Sequence, residues 1–594
     1  MKRFAVIVLS VLYVVSIMSC APVSDGALST TVPTYSDSIE TLPPPSGCRA
    51  STELRAAIRL ESNMNPLYPK HYATRSLLAL VYEPLFKVDH EGKIIPVLAN
   101  SVSYDVATTT YRIQIDNQKT FHSGKKLTVQ DVKASLLKTI SLMTENLPPT
   151  EDGNDGKSLT AENYATSEKQ PAAKLDTGSL SASYKDGSVF QAEPFSFMTA
   201  AKKNEYRNIR LVSTEGLDTL ILELKNHDPH ILDLLTFPII PESHINDLSM
   251  NPISGSGAWK VISTEDGRLV KLERVSPGTG IRHISAKAFD SAALAMEAFD
   301  KGDIDVLVLD VSETSLFADR TRIRKQRIDY PGYISLFFRG SNHESALLWR
   351  NYMLREIKSD SKGDFFAAPF ACAFYPLLPG DFRQQHAVIP EYQIGDLPAL
   401  ELPENEQETT GTTDDAGAPS PTIPDTREPF VLLLPEGFTP YRLVENIGAC
   451  VARLGRRFIP VHVAKEAWAE KLRKGSYDAA LLVDVSLTFL DPVDYLEGLQ
   501  HAKLFDWTEY VAPDDVIALR EVQHLVSSFG DERQDTFSGS AYAQSISRTF
   551  SILPVLGLAI PETMVLYGCD VENTMAGIWH SPYDNVEELV VWSP

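Results

Sequence analysis

A four-part unit occurs twice in this chain and limits the folds open to it. Ser291-Ala-Ala-Leu294-Ala-Met296-Glu-Ala298-Phe299 spaces its apolar residues for one face of a helix, stops at Lys301-Gly302, passes an Asp and runs into Ile304-Asp-Val306-Leu-Val-Leu309. Much later, Trp468-Ala-Glu-Lys-Leu472-Arg-Lys-Gly475 leads in the same way to Tyr477-Asp-Ala-Ala-Leu481-Leu-Val483. Strands that are apolar at successive positions must be covered on both faces. A layered α/β body is therefore expected in preference to a β-sandwich or a helical bundle. At 594 residues the chain exceeds what one core covers, so more than one folded unit follows.

Composition narrows the function classes. Apolar residues make up 43 % and charged residues 22 %, which is ordinary for a soluble folded body. Asp and Glu number 78 against 55 Lys and Arg, a formal charge of -23, and a phosphate backbone would be repelled by such a surface. No nucleic-acid partner is expected.

The start of the chain places that body outside the cytoplasm. Met1-Lys2-Arg3 and the apolar run from Phe4 to Val15 read as an export signal, too short for a comfortable membrane span. Ile17-Met18-Ser19-Cys20 resembles the lipobox of bacterial lipoproteins, with Met18 a departure, and implies that the signal segment 1–20 is cut before Cys20, which is lipidated and becomes the mature N-terminus. Residues 21–50 are rich in Ser, Thr and Pro and form a flexible tether. Cys48, Cys372, Cys450 and Cys569 are widely spaced, with no C-x-x-C pair, and are expected as buried free thiols. Two further polar stretches, about 144–188 and about 401–428, read as surface insertions, the second acidic.

Catalytic motifs are weak throughout. Gly153-Asn-Asp-Gly156-Lys157-Ser158 lacks both the spacing and the preceding strand of a phosphate loop, and H-E-x-x-H and G-x-S-x-G are absent. The 13 histidines are scattered, so no metal site is expected. Gly255-Ser256-Gly257 has no readable His and Asp partners for a nucleophile. A non-enzyme without a cofactor is expected.

Longer segments are more informative when read in order. Asn65-Pro66-Leu67 precedes Tyr82-Glu83-Pro84-Leu85, and Gly92-Lys-Ile-Ile-Pro96-Val-Leu98-Ala99-Asn-Ser101 follows. Then come Tyr111-Arg-Ile-Gln-Ile115 and Phe121-His-Ser-Gly124-Lys-Lys-Leu-Thr128-Val-Gln-Asp131-Val132. Asn251-Pro252-Ile-Ser-Gly255-Ser256-Gly257-Ala258-Trp259, Gly302-Asp-Ile304-Asp305, Gly475-Ser-Tyr477-Asp478 and Asp491-Pro492 complete the series. Together they resemble the extracellular solute-binding proteins of bacterial ABC importers, in the oligopeptide, dipeptide and nickel-chelate group called family 5. The resemblance extends from about 54 to 568. Asn65, Ser123 and Ala258 depart from the family's Asp, Asp and Pro.

The resemblance implies a two-lobe, class II periplasmic-binding-protein-like α/β fold with an extra subdomain in the first lobe. Lobe 1 is expected at 50–282 with a return at 553–594, and lobe 2 at 283–552. It also implies a monomer that captures a peptide-like or other medium-sized solute between the lobes and presents it to an ABC permease, held to the membrane by its lipid. A surface lipoprotein that keeps the scaffold as a sensory or interaction module without transport is the alternative. The implied cleft residues are Asn63, Met64, Asn65, Gly255, Ser256, Gly257, Trp259, Arg339, Asp484, Val485, Ser486, Thr488 and Phe489. The carboxylate that holds a peptide's amino group in peptide-binding members falls on Thr488, and the nearby tryptophan on Val485. Asp484 takes over that anchor only if an insertion shifts the loop.

Overall fold

The computed structural model describes residues 49–68, 70–89, 94–144, 206–226, 228, 231–311, 313, 323–329, 332–358, 370–372, 429–436, 441–485, 492–519 and 539–593. The leader, nearly all of the tether, the insertion beyond Thr144 and the acidic loop 401–428 lie outside them. β1 (Arg49–Ser51) and β2 (Glu53–Arg59) come first, followed by α1 (Tyr72–Leu78), β3 (Phe86–Val88), β4 (Ile94–Pro96), β5 (Ala99–Asp105), β6 (Thr110–Ile115), α2 (Val129–Thr144), β7 (Ile209–Glu215) and β8 (Thr219–Leu224). A meander of β9 (Trp259–Glu265), β10 (Leu269–Arg274) and β11 (His283–Phe289) leads through α3 (Ala292–Asp300) to β12 (Val306–Leu309), β13 (Arg324–Asp329) and β14 (Gly332–Phe338). Next are α4 (His343–Lys358), β15 (Phe370–Cys372), β16 (Phe430–Pro435), α5 (Tyr441–Arg453), β17 (Phe458–Val463), α6 (Lys465–Lys474), β18 (Ala479–Val485), α7 (Pro492–His501) and α8 (Gly539–Ser551). The long β19 (Val555–Tyr567), β20 (Val571–Glu572) and β21 (Val590–Ser593) close the order.

The largest sheet runs β17-β16-β18-β14-β19-β12-β2-β11-β10-β9, with β13 and β15 also paired to β19. The expected covering of both faces is visible residue by residue. Val306 and Val308 of β12 enter the main core, while Leu307 and Leu309 enter a second core with Ala295, Met296, Ala298 and Phe299 of α3. β19 divides likewise, Val565 and Tyr567 to one side and Met564 and Leu566 to the other. The helix before β12 starts where Ser291 Oγ accepts the Leu294 N–H at 3.2 Å, and Gly302 beyond its end has a φ of +74°.

The Asp immediately before the strand of each unit has a structural purpose. Asp305 N donates to Arg55 O at 2.8 Å and its Oδ2 accepts from Arg55 N at 2.6 Å, tying β12 to its parallel neighbour β2. Asp478 N donates to Val431 O at 3.0 Å and its Oδ2 accepts from Val431 N at 2.8 Å, tying β18 to its parallel neighbour β16. One carboxylate thus continues a ladder past the strand's first residue in both places.

β19 joins the two halves of the sheet. Its Glu562–Tyr567 stretch pairs with β13, and its Val555–Ala559 stretch pairs with β14. The expected start of a second lobe at 283 does not coincide with this change of partners. β11 lies in parallel register with β2 from His283 and Glu53 to Phe289 and Arg59, and β12 also pairs with β2. Pro277-Gly278-Thr279-Gly280 lies in the turn from β10 to β11.

A second cluster forms the extra subdomain. The antiparallel sheet β5-β6-β8-β7 buries Tyr111, Ile113 and Ile115 of β6 and Leu220, Leu222 and Leu224 of β8 with Val132, Leu136 and Ile140 of α2. Arg112 and Gln114 alternate outward, as one solvated sheet face requires. Of the expected buried thiols, Cys450 is buried, but Cys569 is exposed because it stands in the turn between β19 and β20.

Candidate functional site

In an α/β sheet the loops at the carboxyl ends of parallel strands are the usual place for a ligand. β2 ends at Arg59 between β11 and β12, and the loops that follow β2 and β12 carry a concentrated set of charges. Glu61 Oε1 accepts from His71 N at 2.9 Å and lies 3.1 Å from His71 Nδ1. Lys70 Nζ donates to Asn63 Oδ1 at 3.0 Å and to Tyr68 O at 3.3 Å. From the β12 side, Glu313 Oε2 accepts the Asp310 N–H at 3.0 Å. Arg59 is buried at the strand end, its N–H and carbonyl both bonded to Thr74 Oγ1 at 3.1 Å.

Burial tunes these groups. It holds the Lys70 ammonium down to about 8, with Glu61 opposing the shift. It pushes the Glu313 carboxyl up, against the Asp310 N–H and the charges of Arg59 and His71. Buried or half-buried groups of both charge signs are thereby gathered where β2 and β12 end.

The residues implied by the sequence resemblance are placed in three groups. Asn63 belongs to the charged set through Lys70, whereas Met64 is buried and its N–H donates to Ser249 O at 3.2 Å. Asn65 is 0 % exposed. Its Nδ2 lies 3.2, 3.2 and 3.0 Å from the carbonyls of His244, Ile245 and Asp247, and its Oδ1 accepts the Leu67 N–H at 3.1 Å. Three carbonyls facing one side chain call for an amide, and the position departs from the family's Asp accordingly.

The glycine-rich turn is used for close packing. A Cβ at Gly255 would stand 2.0 Å from Val81 O, and one at Gly257 would stand 2.4 Å from Leu80 O. Gly257 N and Trp259 N donate to Val81 O and Leu80 O, at 2.9 and 3.1 Å, and Trp259 is buried in the main core. His122 Nε2 lies 2.9 Å from Gly257 O, and Ser256 Oγ is shut off from solvent without a hydrogen-bond partner among the described residues.

In the other half of the sheet, Arg339 folds back on its own side. Its Nη1 donates to Leu472 O at 3.0 Å, in the last turn of α6, and its guanidinium lies 5.3 Å from the Tyr477 ring centroid. Asp484 and Val485 end β18 opposite Tyr333 and Gly332. Ser486, Thr488 and Phe489, like Cys20, lie outside the described residues.

Glu61, Lys70, His71 and Glu313 were not singled out by sequence reading. Glu61 had a signal, since it follows directly on Leu54-Arg-Ala-Ala-Ile58-Arg-Leu60, whose alternating residues have the pattern of a strand. Glu313 had none, because only folding brings β12 alongside β2. Among the described residues, no group of three or more His, Cys, Asp or Glu is placed to hold a metal ion.

No family model matches the sequence, and no curated protein matches it. Solved structures do. HbpA2 from Haemophilus parasuis aligns over 91 % of this chain and 99 % of its own, at 12 % identity and a TM-score of 0.59. NikA from Brucella suis in complex with Fe(III)-EDTA aligns over 91 % and 99 %, at 15 % identity and a TM-score of 0.54. The periplasmic binding protein DppA from Helicobacter pylori in complex with the peptide STSA aligns over 91 % and 98 %, at 12 % identity and a TM-score of 0.53. With a sheet covered on both faces, a strand shared by its two halves and a separate antiparallel subdomain, this chain has a two-lobed α/β fold that resembles the class II periplasmic-binding-protein architecture.

Proposed function

We propose that this chain is the solute-binding component of an ABC-type importer, a lipoprotein held by Cys20 on the extracytoplasmic side of a membrane. It works as a monomer that captures solute and does not transform it. The observation that carries this reading is the handover along β19, where β13 and β14 pair with successive stretches of one strand. Such crossovers are suited to a hinge, and ligand-driven closure about a hinge is how two lobes deliver a bound solute to a partner. The first lobe then comprises the strands up to β13 with the end of β19, and the second begins at β14.

The solute lies against the charged loops after β2 and β12, namely Glu61, Asn63, Lys70, His71 and Glu313, and against the loop beyond Asp484 and Val485. Met64, Asn65, Gly255, Gly257 and Trp259 support the wall from behind. Thr488 in place of a carboxylate argues against capture of ordinary free peptides, since a buried ammonium without its counter-charge costs several kcal/mol.

The test is native purification with mass spectrometry of co-purifying small molecules, followed by calorimetry with the solute found. Binding weakened at least tenfold by Lys70→Met and Glu61→Gln supports the reading. Recovery of no solute from cells expressing the protein, together with unchanged import on deletion of its gene, would sink it. Tight binding of a peptide pool that is lost on N-acetylation would overturn the view of the altered anchor.

A further inference from the structure

The chain between β20 and β21 contains no helix longer than the single 3-10 turn Val586–Glu588, yet it is held at several points. Tyr72 on α1 donates its hydroxyl to Trp579 O at 2.6 Å. Gln326 on β13 donates through Nε2 to Met575 O at 2.8 Å, and Met575 N donates to the Tyr567 hydroxyl of β19 at 3.0 Å. That hydroxyl in turn donates to Gln326 Oε1. Met575, Trp579, Tyr583, Val586 and Leu589 bury their side chains in the main core. The segment therefore lies strapped across the two strands that cross between the halves of the sheet.

His580 sits at the middle of this strap. Both ring nitrogens are shut off from solvent and neither has a hydrogen-bonding partner among the described residues, an expensive arrangement for an imidazole even when neutral. The groups that face it from the packed elements are both cations: Arg75 on α1 and Lys87 on β3. Asp584, the nearest carboxylate along the strap, is already engaged, with Lys87 Nζ at 4.0 Å and the Ser581 hydroxyl bonded to it. A proton on His580 would thus add a positive charge beside these two cations, with no carboxylate bonded to either ring nitrogen among the described residues.

We propose that segment 573–589 is an acid-released strap, undocked from α1, β3 and the crossover strands when His580 takes up a proton. Burial first, then Lys87 and Arg75, hold the docked imidazole down to about 3, against about 6.5 for a solvated one. A histidine depressed on docking favours the docked form above the solvated value and loses that advantage as pH falls below it. Between pH 8 and pH 5 the two values shift the opening equilibrium about thirtyfold toward release. The inference stands whether or not the chain binds a solute.

The experiment is backbone hydrogen exchange by mass spectrometry on the full chain at pH 8 and pH 5, normalised to intrinsic exchange rates. Peptides within 573–589 should lose protection about thirtyfold, while those of α4 change little. His580→Phe and His580→Gln, neither able to take the proton, should flatten that dependence, so one variant suffices if the other does not fold. Exchange of the His580 ring C2 proton gives its titration directly. A dependence that persists in the folded variant, no loss of protection in the natural chain, or titration of His580 near 6.5 in the docked protein would each overturn the proposal.

Discussion

The two strand-tying aspartates perform the same backbone task in opposite surroundings. Asp305 is 1 % exposed and faces Arg55, whose side chain is 43 % exposed. Asp478 is 22 % exposed and faces Arg456, which is 4 % exposed, 4.7 Å from the Trp349 ring centroid and 5.4 Å from that of Phe430. In the first pair the acid is buried and the base reaches water. In the second the base is buried between aromatic rings and the acid is half open. The difference shows that the sequence unit specifies the ladder bond, while each neighbourhood decides which partner carries the desolvation cost.

Deleting the carboxylates should therefore have unequal effects. Asp478→Ala takes the carboxylate from a guanidinium buried between two aromatic rings, which keeps its bond to Pro429 O at 3.0 Å, and should lower stability by about 3–5 kcal/mol. Asp305→Ala takes the side-chain acceptor from Arg55 N and removes the Nε contact of 3.2 Å, but the guanidinium left behind is 43 % exposed and water solvates it. A loss of about 2–3 kcal/mol is expected. Arg456→Met retains an apolar chain between Trp349 and Phe430 and lets water solvate Asp478, so the loss should be about 1–2 kcal/mol. Denaturant unfolding of the three variants ranks them. If Asp305→Ala proves costlier than Asp478→Ala, burial of the cation left behind is not what separates the two sites.

The architecture was largely legible in the sequence because periodicity reports burial. The helix expected at Ser291–Phe299 is α3, the run Ile304–Leu309 contains β12, and the run Tyr477–Val483 overlaps β18, which begins at Ala479 and continues to Val485. The site was less legible for two physical reasons. A missing Cβ serves a ligand and a neighbouring backbone equally well, so Gly255 and Gly257 read as a binding turn although Leu80 and Val81 are what approach them. Likewise a polar residue such as Asn65 gives no sign in sequence of whether its partners are solute or carbonyls. The Glu61, His71 and Glu313 grouping depends on the placement of β12 against β2, which no local pattern encodes.

The smallest effect in the comparison should come from Arg55→Met. The guanidinium is nearly half exposed, so water screens its charge, and Asp305 still receives the Arg55 main-chain N–H when the side chain is changed. A loss of about 1 kcal/mol at pH 7 is expected. Burial already pushes the Asp305 carboxyl up, opposed by Arg55, and without that opposition it rises further. A carboxyl raised on folding takes its proton in the folded state before the unfolded one, so its penalty is present above the folded value and is relieved as pH falls through it. The stability curves of the natural chain and Arg55→Met should therefore converge between pH 7 and about pH 4, the ordinary range of a carboxylic acid. Chemical denaturation at pH 7, 6, 5 and 4 measures the gap. A gap that stays constant across that range would mean that Arg55 contributes through its bond to Gly302 O at 2.7 Å and its packing, and not through the charge it sets against Asp305.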